Sequence, residues 1–211
     1  MHSSSTAAPL CQKDAAATIQ TLVDHQQCST SCPDRQGAGI VLYAHPLHHH
    51  LARILAKARR QGHDHCRKPH EDRGAKGNNR AEAYGVLSEL MIVQALEYSG
   101  LQPEGYCLLD ERPHTGADFL LCGVSFDVKT VPFRSGFLCV NEEQRLDPAH
   151  AVDFILPAWF TRPTELHVMV PIPYNDVACW TLRQGHSPYR SISVDVLQPL
   201  HSFAELEGGK P

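Results

Sequence analysis

The chain has 211 residues, 42% hydrophobic and 20% charged, which suits one globular domain with an appendage. No apolar run approaches the ~20 residues that span a bilayer, and MHSSSTAAPLCQKD lacks the basic then apolar pattern of a signal peptide, so a cytoplasmic location is expected. The net charge of −4 is uneven: residues 51–80 hold nine Lys/Arg against three acids (+6), and the remainder ten against twenty (−10).

In chain order, residues 1–13 are Ser/Ala/Pro-rich and are expected to be disordered. Ile19, Leu22 and Val23 pattern a short amphipathic helix over 14–26, followed by a polar linker with Cys28, Cys32, Pro33 and Gly37. Pro46 opens a helix over 46–61. Its Leu47, Leu51, Ile54, Leu55 and Ala58 form one stripe, Arg and Lys occupy the other face, and Gly62 ends it. Residues 62–78 read as a loop rich in Gly, His and charge. A stronger helix is predicted over 79–98, NRAEAYGVLSELMIVQALEY, capped by Asn78 or Asn79 and closed by Gly100. Within it Glu89 lies among Leu87, Leu90, Met91, Ile92 and Val93. Burying a carboxylate there costs several kcal/mol without a compensating charge. Glu82 is the alternative on nearly the same face, and Glu97 is expected to be solvated. Strands are predicted over 105–111, 136–140, 151–157, 165–171 and 191–196, the last as an edge, with a short helix starting at Asn141 or Glu142.

The informative stretch is GADFLLCGVSFDVKT, residues 116–130. Cys122-Gly123 between two alternating apolar runs predicts a two-residue hairpin turn. Folding there sets Phe119 opposite Phe126, Leu120 opposite Ser125, and Asp118 opposite Asp127. Because side chains alternate, one face carries Phe119, Leu121, Val124, Phe126 and Val128. The other carries Asp118, Leu120, Ser125, Asp127 and Lys129. Facing like charges destabilise a sheet by roughly 0.2–1 kcal/mol, which makes sense if a divalent cation sits between them. The competing reading is a solvated edge hairpin with Lys129 as a blunting charge.

G-A-D, eight residues, then D-V-K resembles the signature of the PD-(D/E)xK nuclease superfamily, over residues about 79 to 170. The position before Asp118 is Ala117, where the family's name has Pro. The string YGVLSELMIV is similar to the G-x-x-x-E helix of many members. The resemblance implies an α/β fold: a restriction-endonuclease-like core with a central mixed β-sheet flanked by helices, here with a helical N-terminal extension. The expected divisions are 1–36 for the extension, 37–78 for a basic His-rich helical segment and 79–205 for the core. The resemblance further implies that Asp118, Asp127 and the Val128 carbonyl hold Mg²⁺ (Mn²⁺ substituting), that Glu89 completes the site, and that Lys129 orients or deprotonates the attacking water. The implied partner is DNA, double-stranded in most of the family, with a homodimer compatible with a double-strand cut.

The basic block is the candidate phosphate surface: Arg53, Lys57, Arg59, Arg60, Arg67, Lys68 and Arg80, with Arg112, His114 and Arg134 around the hairpin. Arg59 and Arg60 are expected to reach solvent, and His48, His49 and His50 to face solvent or phosphate. Two other readings compete with a nuclease. One is a nucleic-acid-binding module that does not cleave. The other is a zinc protein built on Cys28, Cys32, His63, His65, Cys66 and His70, whose spacing matches no standard finger.

Overall fold

Two sheets and two long helices dominate the residues described by the computed structural model, 39–66, 78–106, 116–185 and 187–207. The larger sheet runs β1 (Val41–Tyr43), β6 (Glu165–Val168), β5 (Phe154–Arg162), β3 (Val124–Val131), β2 (Phe119–Leu121), and β7 (Ile172–Pro173) also pairs with β5. β3 and β5 are parallel, in register from Phe126↔Phe154 to Val131↔Trp159, while the other pairs are antiparallel. A parallel pair needs a long crossover. Here it is made by β4 (Phe137–Asn141), the helix α3 (Glu142–Leu146) and a 3-10 turn, Pro148–His150. β4 joins a smaller sheet with β9 (Tyr189–Ser193) and β8 (Thr181–Arg183), in the order β4-β9-β8.

The parallel pair is covered on both faces, so β5 reads as a nearly continuous apolar run; Ile155, Leu156, Ala158 and Phe160 are all fully buried. On one face lies α2 (Asn78–Tyr98), with Tyr84 edge-on to Phe160 at 4.8 Å and the Ser88 hydroxyl bonded to that of Thr130. Helix α1 (Pro46–Cys66) packs in turn on α2. This explains why α2 is apolar nearly all round: Val86, Leu87, Leu90, Met91, Ile92, Val93, Ala95 and Leu96 are buried between sheet and helix. Gly100, at φ 83°, ends α2 as a Schellman motif, with Leu101 N donating to Leu96 O and Gly100 N to Glu97 O, both at 3.0 Å. On the other face Val131 and Ile155 pack with Leu138, Val140, Val177, Trp180 and Val194 beneath the smaller sheet.

Two polar clasps fix the crossover. Asp153 accepts from Ser125 N (2.8 Å) and Oγ (2.6 Å), fastening β5 to β3 at their start. Glu142 takes Arg145 at 2.7 Å and Arg190 at 3.1 Å, and Arg190 also donates to the carbonyls of Ala178 and Trp180. No helix among the described residues is long and apolar enough to cross a membrane.

Several expectations change. α1 continues through Gly62 to Cys66, since a glycine inside a helix costs only about 1 kcal/mol. β1 lies where the polar linker was expected to continue, pairing with β6 and so placing residues 41–43 inside the larger sheet. The strand expected as an edge, β9, is the middle strand of the smaller sheet. The strand expected over 105–111 falls mostly outside the described residues; what is seen is a bridge between Glu104 and Leu120 on the outer side of β2. The helix expected over 14–26 also lies outside them.

Candidate metal and phosphodiester site

The hairpin turn has positive φ at both central residues, Cys122 at 52° and Gly123 at 79°, the mirror turn whose twist matches flanking strands. The register follows: Phe119↔Phe126, Leu120↔Ser125, Leu121↔Val124. Asp118 stands just before β2. Its N–H donates to Phe126 O at 2.8 Å and its Oδ2 accepts from Val128 N at 2.7 Å. It thus holds β3 on both sides of Asp127, near enough for the two carboxylates to act on each other. Two residues beyond Asp127, on the same face, Lys129 sets Nζ 2.9 Å and 2.7 Å from the two Asp127 oxygens. Gly116 permits the approach of the crossover here, because a Cβ would run into the His150 backbone.

Glu89 enters from α2, buried as its apolar neighbours require. Its Oε2 lies 2.7 Å from Arg59 Nη1 of α1, each side chain only 11% exposed. The contact is an ion pair by distance, with no well-aligned hydrogen bond at that oxygen. Arg59 is therefore not the solvent-facing phosphate contact that the stripe implied. The buried side of α1 is His48, Leu51, Ala52, Leu55 and Ala56, while Leu47 and Ile54 are exposed. Arg59 is one turn beyond Leu55 and falls on that side. The same shift buries His48, at 1% exposure, against the expectation that it faces solvent.

Burial, reinforced by the charges of Glu89 and Asp127, pushes Asp118 well above the ordinary carboxylate range. Burial also raises Glu89, with Arg59 opposing it. For Lys129 burial pulls down, but Asp127 and Asp118 together lift it above its usual value. Burial and the Asp127 charge raise Tyr174, which reaches this side of the sheet from the end of β7, its hydroxyl donating to Gln144 O at 3.5 Å. Three carboxylates thus act on one another against two cations, Lys129 and Arg59. Carboxylate oxygens are the donor chemistry a hard divalent ion takes, which makes these side chains the candidates for holding one. Among the described residues no three His, Cys, Asp or Glu side chains stand together as a ready-made cage.

Of the other residues predicted, Arg53 and Lys57 are exposed on α1, and Arg134 is exposed after β3 at φ 72°, its guanidinium 5.1 Å from the Phe133 ring centre. Arg67, Lys68, Arg112 and His114 lie outside the described residues, as do the side chains of Arg60, Arg80 and all six proposed zinc ligands. Reading the sequence missed Arg59 as Glu89's partner, although its spacing from Leu51 and Leu55 carried the signal. It also missed Tyr174, which nothing local marks.

No family model, curated protein or solved structure matches this chain. The geometry of the site therefore carries the functional reading.

Proposed function

We propose that this chain is a metal-dependent endonuclease that hydrolyses phosphodiester bonds of DNA. The carrying observation is the hairpin arrangement, with Asp118 bonded to the β3 backbone on both sides of Asp127 and Lys129 on Asp127. The order of elements supports the restriction-endonuclease-like reading: helix α2 with its Glu89, the Glu104 bridge, the hairpin, then a crossover to a strand parallel to β3. Asp118, Asp127 and the Val128 carbonyl would hold Mg²⁺, extended by Glu89. Bound there, the ion supplies charge stabilisation at the phosphate and a lowered water pKa. Lys129, held as an ammonium by Asp127 and Asp118, orients the attacking water, which enters in line opposite the leaving 3′-oxygen. The products are 5′-phosphate and 3′-hydroxyl ends.

Incubation of supercoiled plasmid with the protein tests this, with Mg²⁺ or EDTA and with Lys129→Ala. Nicking that needs Mg²⁺ and falls about 10²-fold or more in the variant is expected, the scale of a lost preorganised charged donor. Cleavage undiminished in Lys129→Ala refutes the site. One observation favours a second reading, a nucleic-acid-binding module that does not cut: Asp127 and Glu89 already carry cationic partners. Binding without cleavage in Mg²⁺ or Mn²⁺ would select it.

A further inference from the structure

Helix α1 opens on His45-Pro46-Leu47-His48, and both imidazoles turn back on its first turn. The His45 carbonyl accepts from His48 N and His49 N, so His45 is the cap residue. Its Nδ1 accepts from Leu47 N at 3.3 Å, and three residues on His48 Nδ1 accepts from His45 N at 3.1 Å. This is the reciprocal geometry that Ser/Thr and Glu/Gln make in a capping box, built from two imidazoles, with Pro46 at the position whose N–H needs no partner. His48 is also hydrogen-bonded to Gln94 of α2. Gln94 Nε2 is buried with no partner among the described residues, so its Oε1 accepts and His48 donates through Nε2. The neutral ring thereby uses both nitrogens, one on its own helix cap and one on the neighbouring helix.

We propose that the His45–His48 cap is a pH-sensitive latch on the docking of α1 against α2, closed while His48 is neutral and released when a proton reaches its Nδ1. A proton there turns the acceptor into a donor facing the His45 N–H. It also places a positive charge, almost fully buried, at the positive end of a helix dipole. The groups that act most on the ring are His45 and His49 of its own helix and Gln94 from α2; Arg53, one turn on, acts on His49. Burial first, then those two histidines, hold His48 below the ordinary 6.5. The sign follows. The unfolded chain takes the proton more readily, so the latch's contribution is complete above about pH 6.5 and is lost as pH falls below it. α1 is the helix that brings Arg59 to Glu89, so the latch bears on one wall of the candidate site. Its test needs no nuclease activity.

The test compares the full chain with His48→Gln, which keeps an acceptor at the third helical position but does not titrate. Urea midpoints and amide exchange of α1 are followed from pH 8 to pH 5. Near-equal stability at pH 8 is expected, with the wild type losing up to about tenfold more in its folding equilibrium per pH unit below 6.5. Equal pH slopes overturn the proposal. Imidazole ¹⁵N NMR of the wild type provides an arm that survives a misfolded variant. The Nε2–H tautomer and a titration midpoint under 6.5 are expected for His48, and an Nδ1–H tautomer or a midpoint of 6.5 or higher overturns it.

Discussion

Arg59 and Glu89 depend on each other: two buried charges 2.7 Å apart, on helices that reach the site from different parts of the chain. Removing one partner of such a pair leaves an unanswered buried charge, at a cost of about 3–5 kcal/mol. Arg59→Ala should therefore lower stability on that scale, and Arg59→Met with Glu89→Leu by clearly less. Denaturant midpoints of the single and double variants check this, and equal losses would show that the contact carries little. At the hairpin, if the proposed nuclease reading holds, Asp118→Asn or Asp127→Asn should abolish cleavage while leaving DNA binding unchanged or tighter, because each would remove negative charge beside the phosphate. A cleavage assay paired with a binding titration reads both. That Asp127 and Lys129 share one face of β3 was legible in the sequence, because strand alternation leaves no freedom once a two-residue turn is placed. Arg59 was not, because the helix stripe was drawn through Leu47 and Ile54, which are exposed. Moving the stripe to Ala52 and Ala56 brings Arg59 inside. Small residues carry little hydrophobic signal, so a stripe made partly of alanine is easily misplaced.

Among the elements, α2 and the hairpin were readable because each carries its own stop signal, the Schellman glycine and the positive-φ turn. β1, β7 and β8 were not, since strands of three, two and three residues offer no periodicity to detect. β4 and β9 alternate clearly, but alternation says nothing of which sheet a strand joins. The Glu142 clasp ties the short helix α3 of the crossover to β9 of the smaller sheet. Arg145 and Arg190 hold the Glu142 carboxyl down to about 2. For a depressed carboxylate the stabilisation is present above the unfolded value near 4.5 and is lost as pH falls through that value toward about 2. Wild type should exceed Glu142→Gln in urea midpoint at pH 7, and the gap should close between pH 4.5 and pH 2. A gap that persists at pH 2 would place the clasp's contribution in packing rather than charge.

For the whole molecule, the net charge of −4 opposes association with a polyanion, so binding to DNA requires a local basic surface. On the proposed reading, such a surface has to lie where basic side chains are exposed. Arg59 turns inward to Glu89, whereas Arg53 and Lys57 are exposed on α1, the helix layer farthest from the sheet. Each phosphate neutralised by such a cation releases condensed counterion, about 0.9 per contact on duplex DNA. Charge reversal at Arg53 and Lys57 together should therefore weaken binding to all sequences alike and flatten the log–log salt dependence by about 2. Reversal at Arg59 should instead destabilise the fold, because it sets two carboxylates against each other in a buried place. Fluorescence anisotropy across a salt series, beside a denaturation curve for each variant, separates the two effects. If Arg53→Glu with Lys57→Glu leaves the salt slope unchanged, α1 does not meet the DNA backbone, and the remaining basic residues of 51–80 become the place to look.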